Sequence, residues 1–443
     1  MSAWVDDANA SLLTDLYELT MAAGYVDAGI AEGEAAFELF VRRLPPSRRF
    51  LVACGIEQAL DHLTSLRFDD DALRYLRSLD LFDEAFLDRL RELRFTGDVH
   101  AVAEGELVFG GEPILRVTAP LIEAQLVETF LIATVGFQTM VASKAARVAI
   151  GARGRDFADF SARRDHGPDA ALKAARAAYV GGAASTSNVL AGREYGIPLS
   201  GTMAHAYVMA FADEREAFRR FAAAFPGRAV LLVDTYDTVR GAERVVEVAR
   251  EGADVTAVRL DSGDLDALSR QVRRILDDGG LGHVRILASG DLDEHRVAAL
   301  VDAGAPIDAF GVGTRMGTSE DAPSLGMVYK LVADPSGPRM KRSEGKVTVP
   351  GCKQVHRFGD HDVLARHDER VDGGRPLLDL VVDDGERVAP PEPLAAARDR
   401  CAAAVAALPE PFRRLDGDAA WDVRVSPALA ELQREVEARL AAG

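Results

Sequence analysis

The chain has 443 residues, of which 48% are hydrophobic and 28% are charged, and its formal net charge is −18. This length and composition are typical of a folded protein with two or more domains, and they exclude a largely disordered chain. The negative charge argues against sequence-independent nucleic-acid binding, which needs many Lys and Arg side chains to neutralise phosphates.

The amino-terminal residues, MSAWVDDANAS, are acidic where a signal peptide needs a basic region. The longest apolar run, FLIATVGFQTMVAS, is too short to span a bilayer and predicts a buried helix. Three widely spaced cysteines, Cys54, Cys352 and Cys401, give neither a disulfide framework nor a zinc motif. We therefore expect a cytoplasmic protein without a membrane segment.

The first part of the chain mixes helical and strand patterns. Residues 12–25 and 57–66 have the apolar spacing of amphipathic helices, and the stretch AAFELFVRRL reads as a strand. Residues 95–118 alternate apolar and polar side chains between glycines, which predicts short antiparallel strands. Helices are expected to follow over residues 122–148.

The middle of the chain repeats one unit: an apolar strand, a polar or Gly-rich turn, and an amphipathic helix. The strands lie in AVLLVDTYDT, VTAVRLDSGD, VRILASGD and DAFGVGT, and Asp261 follows Asp234 by 27 residues. Successive βα units imply parallel strands. With earlier candidate strands at 157–160 and 197–199, the set is large enough for a barrel or a doubly wound sheet.

In either architecture, binding and catalytic residues collect at the carboxyl ends of the strands. The unusual residues of this chain follow those strands: Phe160, His205, Asp234, Asp261, Ser289 and Gly313. Asp, Ser and Gly are also ordinary turn and helix-capping residues, so each one alone has a purely structural explanation. Several of them on one rim favour a binding site.

Two Gly-rich turns, LASGD at 287–291 and GVGT at 311–314, end successive strands. Glycine lets backbone N–H groups approach an anion, and a helix start adds its dipole, so adjacent turns of this kind favour phosphate binding. RLDSGDL adds Arg259, Asp261 and Asp264, whose carboxylates would repel phosphate unless they bind Mg²⁺ or sugar hydroxyls. This predicts a phosphorylated sugar with a metal-bound diphosphate, although Asp264 has the alternative role of capping the next helix.

Two further stretches contain candidate binding side chains. DFSARRDHG places Phe160, which could stack on a flat ring, beside Arg163 and Arg164, either of which could hold an acid. Surface arginines that flank a strand end are the alternative. His205, in GTMAHAYVMAF, has no other metal-ligand type nearby, so its position alone is also compatible with a core histidine bonded to a backbone carbonyl.

Taken together, these stretches resemble nicotinate phosphoribosyltransferases. The resemblance covers most of the chain to about residue 360, through LLTDLYELTMAAGY, DFSARRDHGPDAAL, STSNVLAG, GTMAHAYVMAF, RLDSGDL, FGVGTRMGTSEDAPSLGMVYKLV and GKVTVPGCKQVHRF. It implies an α/β fold with an irregular βα barrel domain (127–330). It also implies an N-terminal α/β sandwich-like domain (1–126), completed by part of the C-terminal segment, and a C-terminal α/β extension (331–443).

The resemblance further implies that the protein transfers the 5-phosphoribosyl group of phosphoribosyl pyrophosphate (PRPP) to nicotinate, giving nicotinate mononucleotide and pyrophosphate in NAD salvage. Mg²⁺ is the implied cofactor. The family couples the reaction to ATP hydrolysis through a phosphorylated histidine, whose surroundings match those of His205. A homodimer with shared active sites is the implied assembly.

The resemblance also implies roles for individual residues. Tyr17, acting across the dimer interface, and Phe160 would stack on opposite faces of nicotinate, and Arg163 would pair with its carboxylate. Asp261, with Asp264 less directly, would address the ribose hydroxyls and the Mg²⁺-diphosphate. The remaining residues would bind phosphate groups: Arg259 the diphosphate, and Gly290, Gly311, Gly313 and Thr314 the 5-phosphate.

Three residues depart from the family pattern: Ser161 replaces a glycine, Ala184 an aspartate and Ala206 a serine. Two alternatives therefore stay open, a sister phosphoribosyltransferase that uses nicotinamide and a catalytically silent metabolite-binding homologue. A barrel aldolase or epimerase ranks below them because its Schiff-base chemistry would need a strand-end lysine, and no lysine falls inside the repeated βα units.

Overall fold

The computed structural model describes residues 5–6, 8–343 and 345–442. The chain divides into two compact units. The first contains the residues up to 140 together with 324–412 and those from 418 onward, and the second contains 141–323 and 413–417. The chain passes from the first unit to the second after residue 140 and rejoins the first unit after residue 323.

The helices of the described residues are α1 (Leu16–Asp27), α2 (Ile56–Ser65), α3 (Asp70–Ser78), α4 (Glu84–Glu92), α5 (Leu121–Gln125), α6 (Glu128–Ala152), α7 (Pro168–Val180), α8 (Val189–Tyr195), α9 (His205–Met209), α10 (Glu214–Ala224), α11 (Thr238–Arg250), α12 (Leu265–Asp278), α13 (Glu294–Asp302), α14 (Thr314–Gly317), α15 (Leu394–Ala407) and α16 (Pro427–Ala442). Short 3-10 turns cover Ala10–Leu12 and Glu410–Arg413.

The strands are β1 (Glu34–Val41), β2 (Leu51–Val52), β3 (Asp98–Ala101), β4 (Leu107–Val108), β5 (Pro113–Pro120), β6 (Asp156–Asp159), β7 (Ser185–Thr186), β8 (Ala229–Leu232), β9 (Val255–Leu260), β10 (Arg285–Ala288), β11 (Ala309–Val312), β12 (Met327–Asp334), β13 (Gly337–Pro338), β14 (Lys353–Arg357), β15 (His361–Arg366), β16 (Arg375–Pro376), β17 (Asp379–Asp383), β18 (Glu386–Arg387) and β19 (Asp422–Val425).

The first unit is built on a seven-stranded antiparallel sheet in the order β13-β12-β1-β5-β3-β17-β18. Strand β12 pairs with β1, with Tyr329 opposite Leu39. The Tyr329 ring also stacks on Phe37 at 4.9 Å between centroids. This pairing explains why the chain re-enters the first unit after residue 323. The short antiparallel strands expected within residues 95–118 are confirmed as β3, β4 and β5.

The second unit contains a six-stranded parallel sheet in the order β7-β6-β11-β10-β9-β8. The four strands predicted from the repeat are β8 to β11, and helices α11 to α13 follow them in the predicted alternation. The sheet has two free edge strands, so the barrel is open and irregular. The predicted α/β class is confirmed, but the expected strand at 197–199 forms only an isolated bridge between Leu199 and Thr186.

Helix α6 contains the apolar run that the sequence assigned to a buried helix. Leu131, Val135 and Val141 within it are fully buried, which confirms that prediction. Among the residues that the structure describes, no helix is long and apolar enough to cross a membrane.

Candidate active site

A cavity of about 590 Å³ opens at the carboxyl ends of the parallel strands of the second unit. Nine of the predicted site residues line it, and they come from five separate stretches of the chain: Phe160, Arg163, His205, Arg259, Asp261, Gly290, Gly311, Gly313 and Thr314. The structure therefore brings together residues that are up to about 150 positions apart in sequence, as expected for the rim of a parallel sheet.

The two Gly-rich turns adopt backbone positions that a larger residue would disturb. Gly290 has φ +96°, and a Cβ atom there would lie 2.0 Å from the carbonyl oxygen of Asp261. At Gly311 a Cβ atom would lie 2.5 Å from the Phe160 ring. Because neither turn carries side-chain bulk at these points, backbone N–H groups can face the cavity and bind an anion.

Asp261 follows β9 and is held by its neighbours. The hydroxyl of Ser289 donates a hydrogen bond of 2.5 Å to its Oδ1 atom. Its backbone N–H donates to Oδ2 of Asp234, at the end of the neighbouring strand, at 2.9 Å. These contacts fix the Asp261 carboxylate at the cavity wall, where it remains partly exposed to ligand.

Arg259 supplies a positive charge to the same wall, with its side chain only 12% exposed. Its Nη2 atom lies 3.9 Å from Oδ1 of Asp261. Burial and the nearby Arg163 lower the pKa of the guanidinium, whereas Asp261 and Asp234 raise it, and the net shift is downward. An arginine pKa starts so high that the group stays charged, so Arg259 offers a poorly solvated cation to an anionic ligand.

His205 is the first residue of α9, and its side chain is 39% exposed to the cavity. Its Nδ1 atom lies 3.1 Å from the hydroxyl of Thr235, and its Nε2 atom lies 3.8 Å from Oδ2 of Asp261. The alternative of a core histidine bonded to a backbone carbonyl is therefore wrong, because the exposed ring contacts a threonine hydroxyl.

The turn after β6 carries Phe160, Arg163 and Arg164, and all three line the cavity. The Phe160 N–H donates to the carbonyl of Val312 at 2.8 Å, which joins this turn to the GVGT turn. An aromatic ring beside two guanidinium groups can hold a flat, acidic ligand by stacking and charge pairing.

The two remaining predicted residues lie elsewhere. Asp264 is the N-cap of α12, and its Oδ1 accepts a hydrogen bond from the Ala267 N–H at 3.1 Å, which is the alternative role left open by the sequence. Tyr17 belongs to α1 in the first unit and is 45% exposed. Burial, followed by the charge of Glu128, raises the pKa of its phenol.

Several polar residues of the cavity were not predicted from the sequence. Thr202 and Ser187 line it, and Thr235 contacts His205. The sequence indicated these residues only by their nearness to predicted site residues, because Thr202 lies in the GTMAHAY stretch and Thr235 follows the rim residue Asp234. No periodicity distinguishes such hydroxyls from ordinary turn residues.

Comparison with protein families finds two matching models. Residues 12–136 match the nicotinate phosphoribosyltransferase N-terminal domain. Residues 141–322, which contain the whole cavity, match the quinolinate phosphoribosyl transferase C-terminal domain.

Curated relatives extend this similarity along most of the chain. A nicotinate phosphoribosyltransferase of Mycobacterium tuberculosis is 50% identical over 415 residues, which cover 92% of this chain and 89% of the relative. Its namesake in Bacillus subtilis is 45% identical over 389 residues, covering 84% and 79%.

Solved structures are similar to this chain over nearly its whole length. The crystal structure of human nicotinic acid phosphoribosyltransferase is 31% identical, with a TM-score of 0.85, and the match covers 96% of this chain and 99% of that one. A nicotinate-nucleotide pyrophosphorylase from Pyrococcus furiosus is 24% identical, with a TM-score of 0.77 over 93% and 98%. This second likeness concerns the fold alone.

Proposed function

This chain belongs to the nicotinate phosphoribosyltransferase family, and from that premise we propose that it makes nicotinate mononucleotide and pyrophosphate from nicotinate and PRPP, coupled to ATP hydrolysis through phosphorylation of His205. The observation that carries the proposal is the cavity itself. One wall holds an aromatic ring with arginines, another an aspartate with a buried arginine, and a third the two Gly-rich turns. These three groups match a pyridine acid, a ribose with diphosphate, and a terminal phosphate.

Nicotinate would occupy the wall formed by Phe160 and Arg163. The Phe160 ring would stack on the pyridine, and the Arg163 guanidinium would pair with the carboxylate, which distinguishes nicotinate from nicotinamide. The ring nitrogen carries no proton at neutral pH, so its attack on C1 of the ribose needs no general base. The site therefore acts mainly by positioning the two reactants.

The phosphoribosyl group would occupy the other two walls. Asp261 would accept hydrogen bonds from the ribose hydroxyls and stabilise the positive charge that develops at C1 as pyrophosphate leaves. Arg259 would neutralise the departing diphosphate. The backbone N–H groups near Gly290, Gly311 and Gly313, with the Thr314 hydroxyl, would hold the 5-phosphate.

Mg²⁺ fits the oxygen donors of this wall. Asp261 presents a partly exposed carboxylate, and Oδ1 of Asp234 beside it is buried without a hydrogen-bond partner. Hard oxygen ligands of this kind suit Mg²⁺, which would supply charge stabilisation to the diphosphate when bound.

His205 has the contacts that a phosphoryl acceptor needs. If Nδ1–H donates to Thr235, the lone pair of Nε2 remains free to attack the γ-phosphorus of ATP. A bond then forms between Nε2 and phosphorus, the bond to the bridging oxygen breaks, and ADP leaves. Ala204, the residue before His205, adds little bulk to this side of the cavity.

We also infer a homodimer in which Tyr17 of one copy completes the pyridine pocket of the other. Helix α1 leaves Leu16, Tyr17 and Met21 exposed at 52%, 45% and 36%, which is an apolar face of the kind that a second subunit covers. A monomeric mass in solution together with full activity would contradict the shared role of Tyr17.

The test is product formation from nicotinate, PRPP and Mg²⁺, with and without ATP, in the wild type, His205→Ala and the control His283→Ala. His283 is an exposed histidine of the same unit that does not line the cavity. We expect ATP to stimulate the wild type and the control but not His205→Ala. Equal product with and without ATP would return His205 to a structural role. Preference for nicotinamide would favour the sister enzyme, and no product from either pyridine would favour the silent homologue.

A further inference from the structure

A buried serine hydroxyl links two carboxyl groups at the base of the turn that carries Arg163. The Ser161 hydroxyl lies 2.6 Å from Oδ1 of Asp159 and 3.0 Å from Oδ2 of Asp165. Ser161 and Asp159 are both fully buried. Because Arg163 and Arg164 lie between Ser161 and Asp165 in sequence, these contacts close the turn that holds both guanidinium groups.

The number of available protons limits how these contacts can form. Asp159 is already well supplied with donors, since it accepts from the Ser161 N–H at 3.0 Å and from the Thr186 hydroxyl at 2.8 Å. The Ser161 hydroxyl has one proton, and its shorter contact is with Asp159. The contact with Asp165 is then a hydrogen bond only when Asp165 carries a proton and donates it to the Ser161 oxygen.

The surroundings of Asp165 disfavour its charged form. Its Oδ1 atom is buried without a hydrogen-bond partner. This atom packs against Gly317 of α14, where a Cβ atom would lie 2.1 Å from it. On its other side Asp165 lines a second cavity of about 440 Å³, together with Pro168 and Leu172. An unpaired carboxylate in such a place costs much more free energy than a neutral carboxyl group.

Arg163 connects this arrangement to the active site, because it lines both the second cavity and the main cavity. We propose that Asp165 is a positioning residue for nicotinate binding. Its protonated carboxyl group donates to Ser161 and holds the Arg163 turn in place, and loss of the proton to solvent breaks this hydrogen bond. The inference rests on the proposed function, in which Arg163 pairs with the substrate carboxylate.

The charges that face Asp165 support this assignment. Burial, followed by the charge of Asp159, raises its pKa to about 6, and the charge of His166 opposes the shift. Helix α14 presents only Gly317 at the contact with Oδ1, so it adds no charge there. The wild type therefore loses the hydrogen bond as the pH rises through about 6, within a range in which the nicotinate carboxylate stays ionised.

The test compares the wild type, Asp165→Asn and Ser161→Ala at about pH 5.5 and about pH 8, with saturating PRPP. For the wild type we expect the KM for nicotinate to rise about fivefold from the lower to the higher pH, the size expected for loss of one hydrogen bond. The ratio of the wild-type kcat to the Asp165→Asn kcat should change little between the two pH values. Asp165→Asn, whose amide always donates, should keep a low KM at both values. Ser161→Ala should have a high KM at both.

A second readout does not depend on turnover. The denaturation midpoint of Asp165→Asn relative to the wild type should increase with pH, because a raised pKa in the folded protein stabilises the wild type only while Asp165 is protonated. Parallel KM profiles for the wild type and Asp165→Asn would overturn the inference, as would a constant difference between their midpoints. If nicotinate is not turned over but the midpoint difference changes with pH, the proton link stands and the proposed function fails.

Discussion

The Nη1 atom of Arg259 donates a hydrogen bond of 2.6 Å to the hydroxyl of Thr202. This bond joins the end of β9 to the segment that leads into α9 and His205. The Nε atom of the same guanidinium is buried without a hydrogen-bond partner. Thr202 is therefore a principal anchor that orients Arg259 toward the place proposed for the diphosphate.

Replacing Thr202 tests this orientation. Thr202→Val keeps the shape of the side chain but removes the acceptor, so the KM for PRPP should rise about tenfold, as expected for loss of a hydrogen bond to a charged group. The KM for nicotinate should change little. Thr202→Ser restores the hydroxyl and should behave as the wild type in steady-state kinetics. An unchanged KM for PRPP in Thr202→Val would mean that Arg259 is oriented by its other neighbours.

The residues at the strand ends were predicted well from the sequence, because polar and glycine residues recur at regular intervals after the strands. The 27-residue interval between Asp234 and Asp261 indicated equivalent positions in successive βα units, and the two residues are joined by a hydrogen bond in the structure. The same regularity placed the two Gly-rich turns beside each other. The local sequence pattern is sufficient to predict which residues meet wherever a parallel sheet aligns equivalent positions of successive units.

Contacts that depend on distant segments could not be predicted in this way. The strand expected at 197–199 shrinks to one bridge because Pro198 has no N–H to donate, although its carbonyl accepts from Thr186 at 3.0 Å. The link between Ser161 and Asp165 depends on how tightly the turn packs against Gly317, which no spacing in the sequence reveals.

Glycine at position 290 is expected to be essential for PRPP binding. In Gly290→Ala the new Cβ would collide with the Asp261 carbonyl, and the residue would keep an unfavourable positive φ. We expect the KM for PRPP to rise at least about tenfold, because the collision would displace both Gly290 and Asp261 from their positions in the site. Gly280→Ala is the matched control, since Gly280 has φ +78° with open space around its Cα. Equal kinetics in the two variants would exclude close backbone approach at Gly290.

The two aspartates of RLDSGDL are expected to respond differently to Mg²⁺. Asp264 caps α12, so Asp264→Ala should lower the free energy of unfolding by about 1 kcal/mol and leave the Mg²⁺ requirement unchanged. Asp261→Asn should lower kcat/KM at least about a hundredfold and raise the Mg²⁺ concentration needed for half-maximal rate. Chelation of Mg²⁺ should abolish the wild-type activity. A raised Mg²⁺ requirement in Asp264→Ala would place Asp264 in the metal site instead.

Arg163 is expected to determine the preference for an acid over an amide. Arg163→Ala should lower kcat/KM for nicotinate about a hundredfold, the size expected when the charged partner of a bound carboxylate is removed, and should change the rate with nicotinamide much less. Arg164→Ala is the matched comparison, because both side chains line the cavity from the same turn. If Arg164→Ala instead produced the selective loss, recognition of the carboxylate would belong to Arg164.

Glu112, in the first unit, is expected to make stability depend on pH. It is buried, and burial together with the charge of Asp362 raises its pKa well above the usual value, while Arg357 only partly opposes the shift. Because the folded protein binds this proton more tightly than the unfolded chain, the contribution of Glu112 to stability is complete below about pH 4 and is lost as the pH rises toward the raised pKa. Glu112→Gln removes the titration, so its free energy of unfolding relative to the wild type should increase between about pH 5.5 and about pH 8.

Glu106 provides the control for this prediction, because it lies in the same buried cluster but is paired with cations. It accepts hydrogen bonds from Arg357 at 2.9 Å and from Arg375 at 2.7 Å. Glu106→Gln should therefore cost only about 1 kcal/mol in urea denaturation at both pH values, because its neutral oxygen accepts more weakly from Arg357, which Asp362 still pairs at 2.7 Å. If Glu112→Gln lost stability in the same way, and more at the higher pH, Glu112 would be ionised in the folded protein and paired with Arg357.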